Sequence, residues 1–278
     1  MREVIVIGLG AAGVSAAIEL KRNRIEPLVI GKDGGALGAY PGKIENVYGL
    51  MPIKGQDLYQ IGLSQLSYYG ISYVFENVLS ITEIEGGFLV KTDQNTYSSQ
   101  TVLLATGKTR IPLDVPGYQT YLGKGISLCA ACDGYFFRKK KIALIGHGAY
   151  LLHELEHLKK LTDDILIFSN DKALPFPIIP DKILEFKGDK KLREIKTDQG
   201  VYPVDGVFLA LGSPSLLSFA SQLGLMTENQ SIAVDSSYQT NIPGLFAAGD
   251  AIGGKLQIPK ASYDGIAASY AIMHYLKK

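Results

Sequence analysis

Two cysteines occur in this chain, and both fall in one short stretch, Cys129-Ala130-Ala131-Cys132, followed at once by Asp133 and Gly134. All the thiol chemistry open to 278 residues is therefore concentrated at one point. The spacing suits a redox disulfide, half of a metal site, or two inert buried thiols. A tetrahedral zinc site needs four ligands, usually as two such pairs. There is no second pair, and His147, His153, His157 and His274 are not spaced to complete one, so no metal is expected. A structural disulfide across two intervening residues closes a very short loop and stabilises little. A redox-active dithiol is the favoured reading, with inert cysteines as the alternative. Asp133-Gly134 reads by itself as a turn dipeptide.

The elements that must position this chemistry read as alternating strands and helices. Val4 to Ile7 is a continuous apolar run, as in a strand buried on both faces. Gly8-Leu9-Gly10-Ala11-Ala12-Gly13 follows, and then a helix to about Leu20. In the dinucleotide fingerprint the first glycine makes the turn and the second admits a pyrophosphate. The third lets helix pack on strand. The helix N-terminus then faces the phosphates with its positive end. The next strand, Leu28-Val29-Ile30, ends in Gly31 where an acidic ribose ligand often stands, with Asp33 two residues on.

A second such unit begins at Lys141. The strand Ile142 to Ile145 leads into Gly146-His147-Gly148-Ala149-Tyr150-Leu151. The third glycine position holds Leu151, which pushes the helix from the strand or fills the pyrophosphate space. The helix to about Leu161 carries His153, Glu154, Glu156, His157, Lys159 and Lys160, read as a solvated polar face rather than a metal pair. The following strand, Ile165 to Phe168, ends in Ser169-Asn170-Asp171. It offers no arginine for a 2′-phosphate, although Asp171 could serve an NAD ribose. The second unit is thus expected to have kept its fold and lost its nucleotide.

These pieces resemble the low-molecular-weight thioredoxin reductases along nearly the full chain. The matching segments, in order, are Gly8 to Gly13, Gly34-Gly35-Ala36-Leu37, Glu45-Asn46 before Gly49, and Leu104-Ala105-Thr106-Gly107. Then come Pro116-Gly117, Gly125-Ile126-Ser127, Cys129 to Gly134, Gly146-His147-Gly148, and Phe246-Ala247-Ala248-Gly249-Asp250. The resemblance implies an α/β protein of two Rossmann-like dinucleotide-binding-type domains, the second inserted into the first. Residues 1–111 and 234–278 would form an FAD domain, and 112–233 a redox domain carrying the dithiol.

FAD is the implied cofactor. Its implied contacts are Gly8, Gly10, Ala11, Ala12 and Gly13, then Gly35, Leu37, Asn46 and Val78. Ala105, Thr106 and Gly107 follow, then Gly249 and Asp250 at the ribityl chain, and Gln257 and Ile258 at the start of a helix aimed at the flavin. Lys260, in that first turn, faces either the flavin or solvent. Cys132 would be the flavin-side thiol, Cys129 the one that meets thioredoxin, and Asp133 the acid or base. Where family members using NADPH carry arginines, this chain has Ser169-Asn170, and Leu151 replaces a small residue. It is therefore similar to the pyridine-nucleotide-independent branch, the ferredoxin-dependent flavin thioredoxin reductases.

The implied partners are a thioredoxin-like protein and ferredoxin, with a homodimer expected. Arg138-Lys139-Lys140-Lys141 is the densest basic run that an acidic ferredoxin could use, and is more simply a solvated loop. A dithiol oxidase using oxygen, a conventional NAD(P)H reductase and a flavin-binding scaffold without turnover are the competing readings. Composition bounds the rest. Hydrophobic residues at 46% against 20% charged predict a large core rather than disorder. A net charge of +1 gives no general attraction to nucleic acid or membrane. Met1-Arg2-Glu3 runs straight into a strand, and no apolar run is long enough to span a bilayer, so a cytoplasmic protein is expected.

Overall fold

The computed structural model describes residues 1–40, 43–107, 113–128, 130–211, 216–229 and 231–277, with the side chains of 131, 132 and 217 excepted. Contacts divide the chain into two compact units, Met1–Arg110 with Leu223–Lys278, and Ile111–Gln222. The second unit is thus inserted into the first. Its return crossing falls at Leu223, not near Val234. The intervening residues are tied to the first unit by Met226 N–H donating to Asn241 Oδ1 and Asn241 Nδ2 donating to the Gly224 carbonyl.

The first unit is built on a seven-stranded sheet. Its strands run in the order Ser72–Phe75, Pro27–Gly31, Arg2–Ile7, Thr96–Leu104, Gly87–Thr92, Val78–Ile84. Leu245–Ala247 pairs in parallel with the second half of Thr96–Leu104, whose first half pairs with the antiparallel meander. Residues 27–30, Leu245–Ala247 and the C-terminal parts of Arg2–Ile7 and Thr96–Leu104 are apolar and buried because helices cover them, and Val4, Ile5 and Val6 have no exposed surface. Helix Ala11–Arg22 packs on this sheet and against the C-terminal helix Ile258–Leu276. Small residues allow that approach: a Cβ on Gly265 would lie 2.1 Å from the Ala12 carbonyl oxygen.

The second unit repeats the plan on a smaller scale. Parallel strands run in the order Ile165–Phe168, Ile142–Gly146, Gly206–Ala210, Ile126–Ser127. Helix Gly148–Leu158 packs on them, and an antiparallel sheet of Ile183–Gly188, Leu192–Thr197 and Val201–Pro203 stands beside them. Each unit has its own apolar cluster. Among the described residues, no helix is long and apolar enough to cross a membrane.

Candidate active site

The fingerprint loop has the geometry its glycines were expected to supply. Gly8 has φ +126°, and a Cβ there would meet the Ala105 carbonyl oxygen at 2.2 Å. A Cβ on Gly13 would lie 1.9 Å from the Gly8 carbonyl oxygen, so only glycine lets helix and strand close up. Gly10 faces open space, with nothing within 4 Å of its Cβ position. The helix that follows has no side-chain cap and no acidic residue in its first turn. Its N–H groups are therefore available to an anion.

Most of the remaining expected cofactor residues converge on this loop. Gly249, with φ +73°, sits against the Ala12 methyl, where a Cβ would come within 2.8 Å. Asp250 follows it in the short 3-10 turn Gly249–Ile252. Asn46 Nδ2 donates to Gln257 Oε1, joining two expected contacts 211 residues apart. Gly10, Ala11, Leu37 and Ile258 line one hollow, together with Val14, Leu58 and Tyr59. A larger groove, about 710 Å³, runs alongside it past Lys32, Asp33, Gly34 and Tyr59. Gly35 and Gly107, both at positive φ, have open space at their Cβ positions. Thr106 Oγ1 and the Tyr59 hydroxyl are buried without a hydrogen-bond partner. Burial, then the nearby Asp33 charge, raises the Tyr59 pKa. Val78 lies apart from both hollows, paired with Thr92 in the sheet. An open glycine cradle, a bare helix N-terminus and orphaned hydroxyls together fit a long phosphate-bearing cofactor.

Lys260 is half-buried rather than a solvent-facing lysine. Its ammonium donates to the carbonyls of Gly249 (3.0 Å) and Gly253 (2.6 Å) and pairs with Asp264 at 2.7 Å. Asp264 is buried and also accepts from the Tyr238 hydroxyl, whose pKa burial and that carboxylate push up to about 12. Lysine therefore staples the Asp250 turn to the C-terminal helix. Lys260→Met is expected to lower stability by about 2 kcal/mol, because it leaves a buried carboxylate without its cation. FAD should then wash out more easily on gel filtration. Urea unfolding and flavin retention equal to the parent would contradict the staple.

In the second unit, Cys129 lies outside the described residues, and of Cys132 only the backbone is described, in the short helix Ala130–Asp133. Asp133 is half-buried and accepts from Ser127 Oγ at 2.7 Å, which fixes its side chain beside the motif. The 3-10 turn after it exposes two large aromatics, Tyr135 and Phe136. Arg138 to Lys141 are exposed, as expected of a solvated loop.

The second fingerprint differs from the first in what fills it. Leu151 is fully buried, so the helix cannot approach its strand as Gly13 allows in the first unit. Gly148 N–H, at the start of this helix, donates to Asp171 Oδ2 at 3.1 Å. The other carboxylate oxygen of Asp171 accepts from Ala173 N–H. A carboxylate of the chain itself thus takes up the first N–H of this helix. The expected ribose ligand is already engaged.

The helix Gly148–Leu158 also departs from the expected solvated polar face. His153 and Glu154 are buried, and the His153 and His157 rings meet edge to face at 5.0 Å. Among the described residues, no cluster of histidine, cysteine, aspartate and glutamate could hold a metal ion. Glu154 falls on the stripe of Leu151, Leu155 and Leu158, a helical spacing that marks it for the core. It accepts from Ala130 N–H at 2.6 Å, and its other oxygen is buried with no partner. Burial raises its pKa from 4.5 to about 7, against a small opposing effect of the Ala130 bond. The folded chain holds this proton more tightly than the unfolded chain does. The stability that Glu154 contributes as a neutral acid is therefore lost as pH rises from about 4.5 to about 7.

With this geometry in view, the relatives fall into place. A family profile described as pyridine nucleotide-disulphide oxidoreductase matches residues 2–175 and 178–265. The chain belongs to this family. It is 30% identical to a thioredoxin reductase of Listeria innocua, covering 99% of this chain and 94% of that one. Among solved structures, the atypical thioredoxin reductase TRi of Desulfovibrio vulgaris Hildenborough superposes with a TM-score of 0.88 at 31% identity. That match covers 100% of this chain and 98% of the other. A ferredoxin-flavin thioredoxin reductase of Clostridium acetobutylicum gives a TM-score of 0.74 at 26% identity, covering 100% and 99%. The chain is a flavoprotein oxidoreductase of thioredoxin reductase type, and its cofactor is FAD.

Proposed function

We propose that the protein reduces the disulfide of a thioredoxin or thioredoxin-like protein through Cys129 and Cys132, with electrons supplied by ferredoxin rather than by NADPH or NADH. The observation that carries this reading is the contrast between the two fingerprints. The first helix N-terminus is bare and opens on the Gly10 cradle, whereas the second already holds the Asp171 carboxylate and stands over a buried Leu151. A second anion there would meet like charge. The similarity to a ferredoxin-flavin enzyme favours the same donor class.

Bound FAD supplies the means of taking electrons singly and passing them as a pair to a disulfide. The chain's own residues do the rest. Gly8, Gly10 and Gly13 admit the pyrophosphate, Asp250 and Gly249 hold the ribityl chain, and Asn46 with Gln257 fixes the entrance to the C-terminal helix. Cys132 takes the cofactor side of the dithiol and Cys129 exchanges with the protein substrate. Asp133, oriented by Ser127, holds the proton that the departing thiolate receives. Tyr135 and Phe136 offer exposed apolar surface beside the motif to a protein substrate. A cytoplasmic homodimer is the setting in which this activity is expected.

Anaerobic turnover tests the proposal. Holoprotein mixed with reduced ferredoxin and thioredoxin disulfide should generate two thioredoxin thiols per disulfide. Thiol production no greater than in a mixture without the holoprotein would contradict it.

A further inference from the structure

One hydrogen-bonded clasp occurs twice in this chain. Lys91-Thr92-Asp93-Gln94-Asn95-Thr96-Tyr97 in the first unit corresponds to Lys196-Thr197-Asp198-Gln199-Gly200-Val201-Tyr202 in the second. Each stretch is the turn between two antiparallel strands, and each closes on an earlier carboxylate. Thr92 Oγ1 donates to Glu76 Oε2 at 2.6 Å, and the Tyr97 hydroxyl donates to Glu76 Oε1 at 2.8 Å. Thr197 Oγ1 and the Tyr202 hydroxyl donate to Asp181 Oδ2 at 3.0 Å and 2.7 Å. The spacings are identical, 16 residues from carboxylate to threonine and 21 to tyrosine. The aspartate of the turn repeats its bond too. Asp93 Oδ1 accepts from Asn77 N–H and Asp198 Oδ1 from Lys182 N–H, both at 3.0 Å. In both units the clasp thus fixes the link that enters the antiparallel strands.

The two copies are unequal. Glu76 has a third donor, Asn95 Nδ2 at 2.8 Å, where the second copy has Gly200. Glu76, Asn77, Val78 and Leu79 are all buried, whereas Asp181 and Ile183 are half-buried and Lys182 and Leu184 are exposed. Burial pushes the Glu76 pKa up, but the bonds from Thr92, Tyr97 and Asn95 outweigh it and the pKa is lowered. The first clasp is therefore built on a carboxylate, whose hydrogen bonds are of the strong kind.

This heavier copy stands at the carboxyl edge of the first unit's sheet. Ser72–Phe75 pairs in parallel with Pro27–Gly31, which sets Phe75 opposite Gly31, and Gly31 packs against Leu9 of the fingerprint loop. Phe75 also shares the larger groove with Lys32 and Asp33. Ligands of such sheets lie beyond the carboxyl ends of the parallel strands, with the adenosine ribose near the end of the second strand. Glu76-Asn77-Val78 is the link that leaves Phe75 at that edge.

We propose that Glu76 is a positioning residue for the adenosine half of FAD: held by Thr92, Asn95 and Tyr97, it sets the Asn77-Val78 backbone on which that half rests. Asp181, in the same clasp of the second unit, has no such role. The inference rests on the reading of Val78 as a cofactor contact.

The test is the ratio of bound FAD to bound FMN after holoprotein is equilibrated with equal concentrations of the two flavins, read by chromatography of the flavins it then releases. FMN lacks the adenosine half. The ratio therefore reads that half alone and cancels effects on the flavin end or on the fold as a whole. Glu76→Gln keeps the size of the side chain and removes its charge. Its ratio should fall about tenfold below the parent's, which corresponds to losing one hydrogen bond to a charged group. Asp181→Asn removes the same charge from the second clasp and should leave the ratio unchanged. Asn95→Gly gives the first clasp the composition of the second and should lower the ratio by a smaller factor. It also decides the matter if Glu76→Gln fails to fold. A parental ratio in both first-unit variants overturns the proposal, as does an equal fall in Asp181→Asn. A ratio near one in the parent itself would show that the adenosine half makes no contact, and would sink the reading of Val78 and the role of Glu76 with it.

Discussion

Cys129→Ser and Cys132→Ser are each expected to lower thioredoxin reduction at least about a thousandfold, since residues that act as a unit fail together when one is lost. Neither should change FAD content, because every expected cofactor contact lies outside the motif. The two variants should nevertheless differ in kind. Cys129→Ser leaves the thiol assigned to the cofactor side, and its spectrum should gain a long-wavelength charge-transfer band. Cys132→Ser removes that thiol, and the band with it. A protein substrate offered to Cys132→Ser should be trapped as a mixed disulfide through Cys129, visible on a non-reducing gel. Identical spectra from the two variants would contradict the division of roles. Turnover near the parental rate in either would remove the dithiol from the mechanism.

The second large effect concerns nicotinamide nucleotides. NADPH and NADH at millimolar levels are expected to reduce the flavin orders of magnitude more slowly than reduced ferredoxin does. Hydrogen bonds to charged groups contribute roughly 1.5–3 kcal/mol each, and Ser169-Asn170 offers no cation to a 2′-phosphate. Two features stand against a pyrophosphate in the second unit. Leu151 is buried where close helix packing would need a glycine, and the Asp171 carboxylate already accepts the Gly148 N–H. NADH is the harder test, since it needs no 2′-phosphate contact. Its ribose would have called on Asp171, which is committed to Gly148 and Ala173.

What the sequence made legible was local. The Gly8 to Gly13 loop could be read because each glycine answers to one backbone demand over a few residues, and the structure places each demand where the pattern put it. The buried strand Val4 to Ile7 and the damaged third glycine position were legible for the same reason. What could not be read joins distant segments. The bond from Asn46 to Gln257 and the Lys260 staple depend on how the sheet brings chain ends together, and no spacing announces them. The return crossing was misplaced by eleven residues, since side-chain bonds from Asn241, not a composition shift, draw Leu223 onward into the first unit. Glu154 is a different case. Its position among Leu151, Leu155 and Leu158 was available as helical periodicity, but the charged neighbours on the same helix disguised it as part of a wet face.

Anaerobic bleaching of the bound flavin with NADPH, NADH and reduced ferredoxin, run in parallel on the same holoprotein, tests the central claim most directly. The expected result is rapid bleaching by ferredoxin alone, with the colour restored on adding thioredoxin disulfide. Rapid, saturable bleaching by NADH or NADPH would show that the second fingerprint is a working nucleotide site and would contradict the account.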